Sequence, residues 1–362
     1  MDARHALGVL SVDPRLGRAE QLGGVTAVQY EDGSARGMRG LLVRTPSGFE
    51  FECLPDRALD VPRAYFKGTS LAWQAPAGVV REAVYAPDGD AFERSFFGGL
   101  VTTCGLMAFG PPGRDRFGSW GQHGRINHLA AESVAHRVVC EGAQRWVEIT
   151  GVVREASLFG HCLRLERTWR IAFDSPVLHL HDRVTNEGGT AAPHMLLYHC
   201  NAGYPLLDEN MRLDVSQHAM HPRDAAAAAG LAQWDRGGPP DAQFKEQVFV
   251  HQPVALQDGC AVAMMSNRKL ANGRGLALVV RFDPVQLPAL FTWRMLGVRD
   301  YVMAVEPANC PTIEGRVAAG ERGTLPFLEP GETRNYDLRF EVLEGDAIDT
   351  LARAIRPSTG SG

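Results

Sequence analysis

The sequence predicts an all-β fold built from many antiparallel strands. Glycine (39 residues) and proline (22 residues) recur along the whole chain, so turn signals are frequent. Short apolar runs rich in Val, Leu and Phe lie between these turns, and most of them alternate apolar and polar residues with a period of two. Helical periodicity is rare. This pattern is typical of half-buried strands in antiparallel sheets.

The strand predictions rest on the alternation within each run. In residues 163–171, Leu163 and Leu165 face one side of the predicted strand, whereas Arg164 and Glu166 face the other. The other runs are predicted as strands on similar grounds. The full set is residues 40–44, 49–53, 146–153, 163–171, 177–184, 276–282 and 336–342.

Residues 345–357 form the best candidate for a helix. Ile348, Leu351 and Ile355 have helical spacing, and Pro357 ends the pattern. Residues 225–231 are predicted as a short helix or a loop. We find no internal repeat and no linker long enough to separate domains, so we expect one domain over residues 1–356. Residues 357–362 (PSTGSG) are predicted as a flexible tail.

Composition narrows the function classes. The 362 residues include 37 Lys or Arg and 42 Asp or Glu, a net charge of −5 at pH 7. This weak acidity argues against a nucleic-acid-binding protein. No apolar run approaches the roughly 18 residues of a membrane span, and the N-terminus has no apolar signal-peptide core. We therefore expect no membrane association, a small-molecule partner, and a monomer or homodimer.

The seven cysteines are scattered, odd in number and without C-x-x-C spacing. A disulfide framework or a zinc ribbon is therefore not expected. Free thiols suit a reducing compartment, which predicts a cytoplasmic protein. Cys104 lies in an apolar, Gly-rich run and is interpreted as a small buried hydrophobic residue rather than a nucleophile.

Two long irregular stretches, residues 106–119 and 208–245, are candidates for functional loops. The first leads into the segment GQHGRI, where glycines flank His123 and Arg125 follows. Glycine lets the backbone approach a ligand closely, and histidine exchanges a proton near neutral pH. The alternative is a histidine that only makes structural hydrogen bonds.

A second histidine-containing segment spans residues 194–207. His194 and His199 are five residues apart, so a strand would place them on opposite faces. Only one of them would then face a shared site, which argues against both binding one metal. His199 precedes Asn201 and Tyr204, residues suited to lining a cleft; a core histidine is the alternative.

The segment AVEPANCP provides a carboxylate. Glu306 follows the apolar strand predicted at residues 301–305 and precedes a proline-rich loop, so it is a candidate general base. A surface glutamate before a turn is the alternative. His179 and His181 share one face of a predicted strand and have H-x-H metal-ligand spacing, but we favour an ordinary outer sheet face.

Together these segments resemble the aldose 1-epimerase (galactose mutarotase-like) superfamily. The similarity rests on a glycine-flanked early histidine, a mid-chain histidine near Asn and an aromatic residue, a late E-x-x-N-x-P motif and a closing L-x-P-G-E turn. Their counterparts here, in order, are His123–Gly124, His199 with Asn201 and Tyr204, Glu306 with Asn309 and Pro311, and Leu328 with Pro330, Gly331 and Glu332.

The sequence is similar to a less characterised bacterial branch of that superfamily in four segments, residues 56–68, 95–105, 123–126 and 194–207. The resemblance covers roughly residues 20–345. It implies a large antiparallel β-supersandwich with a sugar cleft on one concave sheet.

The resemblance implies an isomerase that interconverts sugar anomers by general acid–base ring opening. Glu306 would be the base, His199 the acid, and His123 a hydrogen-bonding partner of the ring or anomeric oxygen. Trp293 would stack on the sugar, or alternatively belong to the core. Asn201, Tyr204 and Asn309 would contribute to substrate binding. No cofactor is expected.

The chain departs from the family in one respect: the early-strand Asn and Arg that hold sugar hydroxyls have no clear counterpart. Other charged residues are available as substrate ligands, namely Arg57, Asp60, Arg63, Lys67, Arg94, Arg125 and Arg294. If several arginines line the cleft, the substrate is an anionic, keto or acidic sugar, because Arg binds carboxylates in a bidentate manner.

Two other functions use the same cleft. One is an epimerase, isomerase or lyase that moves a C–H proton of a keto or acidic sugar. A divalent metal could assist it, with His123, His199 and Glu306 as ligands. The other is a non-catalytic sugar-binding domain.

Overall fold

The computed structural model describes residues 15–81, 91–142 and 144–356, and it confirms the all-β prediction. Three antiparallel sheets dominate the fold. Within the described ranges, no helix combines the length and apolar character that crossing a membrane requires. The predicted tail, residues 357–362, lies outside the described residues. All seven cysteines are free, as expected.

A five-stranded sheet comes from the N-terminal part of the chain, in the order β1-β2-β3-β4-β5. Its strands are β1 (Gly24–Gln29), β2 (Arg39–Arg44), β3 (Phe49–Leu54), β4 (Asp60–Phe66) and β5 (Thr69–Ser70).

An eight-stranded sheet has the order β15-β18-β19-β23-β12-β11-β10-β9. Its strands are β9 (Glu132–Glu141), β10 (Gln144–Ala156), β11 (Cys162–Ala172), β12 (Val177–Asn186), β15 (Met211–Val215), β18 (Ala261–Asn267), β19 (Leu276–Phe282) and β23 (Thr333–Glu344).

A six-stranded sheet has the order β16-β17-β20-β21-β14-β6. Its strands are β6 (Thr102–Cys104), β14 (Leu197–Gly203), β16 (Gln217–Pro222), β17 (Gln247–Pro253), β20 (Ala289–Leu296) and β21 (Tyr301–Ala308). Two small two-stranded sheets complete the β structure. They pair β7 (Gly113–Asp115) with β8 (Gly118–Trp120), and β13 (Ala192–Pro193) with β22 (Phe327–Leu328).

The α-helices are short: α1 (Ala225–Ala229), α2 (Arg316–Glu321) and α3 (Asp346–Ile355). The helix predicted at residues 345–357 is α3, whose buried Ile348, Leu351 and Ile355 pack on the outer face of the eight-stranded sheet. The short helix predicted at residues 225–231 is α1, capped by the Asp224 side chain.

All seven predicted strands are present, and most extend beyond their apolar runs. The run 146–153, for example, lies within β10, because Arg154 and Glu155 continue the pairing with β11 and Gln144 and Arg145 continue the pairing with β9. One boundary differs in a way that concerns the site. Glu306 does not follow its strand but lies within β21, paired with Phe291 of β20.

The main core is one continuous apolar cluster to which all three sheets contribute. Alternation along β14 shows how the six-stranded sheet uses both faces. Tyr198, Cys200 and Ala202 belong to the main core, whereas Leu197 belongs to a second cluster on the opposite face. This second cluster covers only part of that face.

A buried charged network joins the sheets inside the core. The guanidinium of Arg167 on β11 lies 2.7 Å from Asp60 of β4 and 2.6 Å from Asp182 of β12, and none of the three side chains is exposed. Tyr198 of β14 donates to Asp182, and Thr103 of β6 donates to Asp60. Every charge in the network therefore has partners, as burial requires.

Replacing Arg167 with Ala tests this network. We expect the free energy of unfolding to fall by about 3–5 kcal/mol, because two carboxylates stay buried without their counter-charge. The measurement is denaturant unfolding at pH 7. Arg183 of β12 is the matched control, since its pair with Glu166 is half exposed. Its Ala variant should lose less than about 1 kcal/mol. Equal losses in the two variants would contradict the assignment.

Candidate functional site

A cleft of about 930 Å³ lies over the part of the six-stranded sheet that the second apolar cluster leaves uncovered. Its floor comes from β14, β20 and β21, and its walls come from loops and strand ends. Residues at its centre include Trp73, Phe92, Phe96, His123, His199, Arg223, Glu246, Trp293 and Glu306.

Glu306 and His199 meet on the floor of the cleft. The register that pairs Asn201 with Ala304 also places His199 directly across from Glu306 on the neighbouring strand. His199 Nε2 lies 3.3 Å from Glu306 Oε1. Both residues are at least 95% buried, with 5% and 3% exposure. Among the described residues, His199 Nδ1 has no hydrogen-bond partner.

Burial controls the protonation of this pair. It raises the pKa of Glu306 to about 8, an effect that Arg223 opposes and Glu246 reinforces. Burial, followed by the nearby His123, lowers the pKa of His199 to about 3. Between these values the pair holds one proton and no net charge, because charged forms are disfavoured away from water.

His123 approaches the pair from the loop between β8 and β9. Its ring centroid lies 5.9 Å from that of His199, and its backbone has a positive φ of 57°. Burial lowers the pKa of His123 to about 4, so it is neutral at pH 7. The following residue must be glycine: a Cβ at Gly124 would lie 2.4 Å from the Ala108 carbonyl oxygen and 2.5 Å from that of Gly105.

Aromatic side chains surround His199. Trp293 and Phe96 contact its ring edge-on, with centroids 5.4 Å and 5.1 Å away. Trp73 lies 6.1 Å from Trp293 and forms the next part of the wall. Of the two interpretations of Trp293, the structure favours the cleft rather than the core. The flat faces of tryptophan and phenylalanine rings pack well against the C–H surface of a sugar ring.

Two of the predicted substrate ligands lie close to the cleft but support it from within. Asn201 is buried, and its amide donates to the backbone oxygens of Gly99 and His199. Asn309 accepts from the Leu196 N–H and donates to the His194 oxygen. Their hydrogen bonds join β14 to the segment before β6, and the residues before β14 to the end of β21. Neither side chain is in the cleft lining.

Three more predicted substrate ligands are buried and bind groups inside the protein, so they do not line the cleft. Arg57 is fully buried and donates to the backbone oxygens of Asn127, Val80 and Ser95. Asp60 belongs to the Arg167 network. Arg294 is 4% exposed and donates to the Gln233 oxygen, because it points away from the face that Trp293 occupies. In each case the tertiary structure uses the charge internally.

The remaining predicted ligands lie on surfaces outside the cleft lining. Lys67 pairs with Glu344, and Arg63 pairs with Glu52 on the five-stranded sheet. Tyr204 is 74% exposed, and Arg94 and Arg125 are also exposed. Among the residues that the structure describes, Arg223 is the one arginine in the cleft lining, and we did not identify it from the sequence.

The other histidine and cysteine predictions agree with the structure. His194 is buried away from the cleft against Tyr336, so only His199 faces the site. His181 pairs with Asp337 on the outer face of the eight-stranded sheet. Cys104 is fully buried on β6.

Several residues of the cleft lining were not predicted from the sequence. Arg223 lies within the irregular stretch 208–245, and Phe96 lies within the family-like segment 95–105, so weak signals existed for both. Trp73 and Glu246 carried none. Trp73 reaches the cleft only because a bridge between Ala72 and Ala202 brings its loop to β14.

A metal-ligand arrangement is not found in the part of the chain that the structure describes. No group of three or more His, Cys, Asp or Glu side chains there is placed to hold a metal ion. His123, His199 and Glu306 share the cleft, but they do not form the ligand set considered for the metal-assisted alternative.

The sequence matches the family model described as a domain of unknown function (DUF4432) over residues 35–342. No curated protein matches it.

Solved structures share the fold. A putative aldose 1-epimerase from Klebsiella pneumoniae subsp. pneumoniae MGH 78578 matches with a TM-score of 0.85 at 24% identity, covering 93% of this chain and 88% of that one. The galactose 1-epimerase from Lactobacillus acidophilus NCFM matches at 0.58 and 16%, covering 89% and 99%. A galactose mutarotase-like protein from Clostridium acetobutylicum matches at 0.58 and 14%, with the same coverage. The predicted galactose mutarotase-like fold is thereby confirmed.

The raised pKa of Glu306 predicts a pH-dependent gain in stability for the Glu306→Gln variant. A folded-state pKa of about 8 exceeds the ordinary value of 4.5. The wild type therefore loses stability as the pH rises from about 4.5 to 8, by up to about 1.4 kcal/mol per pH unit. Glutamine stays neutral, so the variant should be increasingly more stable than the wild type over this window.

Thermal unfolding across pH 4–9 measures this difference. Glu314→Gln is the control, because Glu314 lies at the cleft rim and pairs with Arg322 in a largely exposed salt bridge. That variant should gain no stability as the pH rises. A constant difference between wild type and Glu306→Gln at all pH values would show that Glu306 is not held protonated.

Proposed function

Because the chain belongs to the DUF4432 family and has the galactose mutarotase-like fold, we propose that it is an aldose 1-epimerase acting on a sugar bound in the cleft. The proposal rests on one observation above all. A carboxyl group and an imidazole lie 3.3 Å apart on the floor of an aromatic cleft, where burial raises the pKa of the first and lowers the pKa of the second.

Interconversion of anomers needs one proton acceptor and one proton donor. In the reactive form of the pair, Glu306 is ionised and His199 is protonated. Glu306 takes the proton of the anomeric hydroxyl, and His199 gives its proton to the ring oxygen. The ring C1–O bond breaks, the aldehyde forms, and rotation about C1–C2 followed by reclosure gives the other anomer.

The remaining cleft residues support these transfers. Neutral His123 hydrogen-bonds the anomeric or ring oxygen, and Trp293 and Trp73 pack against the apolar face of the sugar. Burial keeps water from competing for the shared proton. None of these steps requires a cofactor.

Proton NMR in D₂O on freshly dissolved sugars tests the proposal directly. The panel includes neutral, amino, uronic and keto sugars, each with and without protein. Accelerated anomer exchange with every C–H signal retained is the expected result. Loss of a C–H signal would instead indicate enolisation chemistry, and saturable binding without exchange would indicate a sugar-binding domain.

Glu306→Gln should lower kcat/KM for anomer exchange by about 10²–10⁴-fold, because the amide cannot accept the hydroxyl proton. Sugar binding, followed by saturation-transfer NMR, should remain. The rim variant Glu314→Gln should retain wild-type activity. Full activity in Glu306→Gln would rule out its role as the base.

The pH profile follows from the shared proton. We expect kcat/KM to stay level through neutral pH and to fall about tenfold per unit above pH 8, where the pair loses its last proton and no acid remains. Polarimetry at pH 6–10 measures this limb, after subtraction of base-catalysed exchange. A rate that rises through pH 8 would show that Glu306 acts without the proton on His199.

A further inference from the structure

One wall of the cleft contains an ion pair that no predicted role accounts for. Arg223 follows β16 and Glu246 precedes β17, and these two strands are antiparallel neighbours. The Arg223 N–H donates to the Val248 oxygen at 2.9 Å, which brings the two side chains together. Arg223 Nη2 donates to Glu246 Oε1 at 2.9 Å, and Arg223 also contacts Asp224.

The same carboxylate reaches the aromatic wall. Glu246 Oε2 accepts the indole N–H of Trp293 at 3.1 Å. Trp293 lies on β20, across from Val248 of β17, and its ring stands edge-on to His199 at an interplanar angle of 77°. Glu246 therefore links Arg223 to the ring that contacts the proposed acid.

We propose that Arg223 and Glu246 are positioning residues that hold the Trp293 indole against His199 and set the balance of charge beside Glu306. The effect of this positioning on sugar turnover rests on the proposed function, whereas the positioning of the Trp293 indole itself does not. Neither residue needs to exchange a proton with the sugar to act in this way.

The indole has a reason to need a tether. Trp293 forms a wall that positions the sugar over two proton carriers, and small displacements of reacting groups are costly to rate. A bound N–H fixes the rotation of the ring about its side-chain torsions. The Glu246 side chain is 55% exposed, so packing alone does not hold its carboxylate in place. The ion pair with Arg223 supplies that restraint.

The pair acts on Glu306 with two opposite signs. Burial raises the pKa of Glu306 most, the cation of Arg223 lowers it, and the anion of Glu246 raises it. Other titratable groups around Glu306 include His199 from β14, His123 from its loop and the buried thiol of Cys104. Cys200 lies on the opposite face of β14, and Glu93, Asp300 and Glu314 lie in the cleft lining. The two charges act in opposite directions, so removal of either one leaves the effect of the other unopposed.

Substitutions separate the tether from the charge. Glu246→Gln retains an oxygen that accepts the indole N–H but loses the charge, whereas Glu246→Leu loses both. Arg223→Gln removes the positive charge and the ion pair that fixes the Glu246 carboxylate, but it leaves the carboxylate that accepts the indole N–H. Arg322→Gln is the matched control, because Arg322 pairs with Glu314 and not with Glu246, the residue that accepts the Trp293 N–H.

Two readouts on the full chain test the proposal without requiring catalysis. Near-ultraviolet circular dichroism reports the fixed indole. The pH at which the stability gain from E306Q levels off in each background, called here the Glu306 midpoint, reports the folded-state pKa of Glu306.

Glu246→Gln should keep the dichroism and lower the Glu306 midpoint by about 0.5 pH unit, less than the shift from a directly contacting charge. Arg223→Gln should raise that midpoint by a similar amount. Glu246→Leu should lower it and also reduce the dichroism. Arg322→Gln should change neither.

The proposal is overturned if neither Glu246→Gln nor Arg223→Gln moves the midpoint, or if Glu246→Leu keeps the wild-type dichroism. The opposite shifts with intact dichroism in Glu246→Gln would support it, even if no sugar shows accelerated anomer exchange. In that case the proposed function fails, and the positioning of Trp293 stands.

Discussion

The guanidinium of Arg167 lies at a point in the core where all three sheets are joined. It binds carboxylates from β4 and β12, and through them it is linked to Thr103 of β6 and Tyr198 of β14. Hydrogen bonds between ionised groups in a low-dielectric core are directional and costly to leave incomplete. The network therefore restricts how the sheets can pack, which apolar contacts alone would do less sharply.

The cleft depends on this restriction through a single strand. Tyr198 and His199 are adjacent on β14, so they point to opposite faces of the six-stranded sheet. Tyr198 is anchored in the core by Asp182, and this anchoring sets the position of His199 across from Glu306. Asn201 and Asn309 add hydrogen bonds on either side of the strand. The sheet that carries His199 and Glu306 is thus held in position by hydrogen bonds on its inner face.

Charge in the cleft differs from what the arginine-rich segments suggested. Arg57 and Arg294 donate their hydrogen bonds to backbone oxygens inside the protein, so they are not available to a ligand. Arg94 and Arg125 lie outside the cleft lining. The arginine that does line it, Arg223, already binds two carboxylates. Within the described ranges, the cleft lining therefore lacks the group of arginines that would have indicated an anionic substrate, and it includes Trp73, Phe96 and Trp293.

The sequence by itself determined the strands, because alternation with period two is a local property of each segment, and it also determined the three central residues. His123, His199 and Glu306 carry recognisable neighbours, such as the flanking Gly124 that a close backbone approach requires. Only the tertiary structure decided the lining. Trp73 and Glu246 are distant in sequence from His123, His199 and Glu306 and have no distinctive neighbours, whereas Asp60 and Arg57 look available in sequence but are buried. Whether a charged side chain faces a ligand or a buried partner depends on contacts between distant segments, and a single sequence does not encode those contacts in any local pattern.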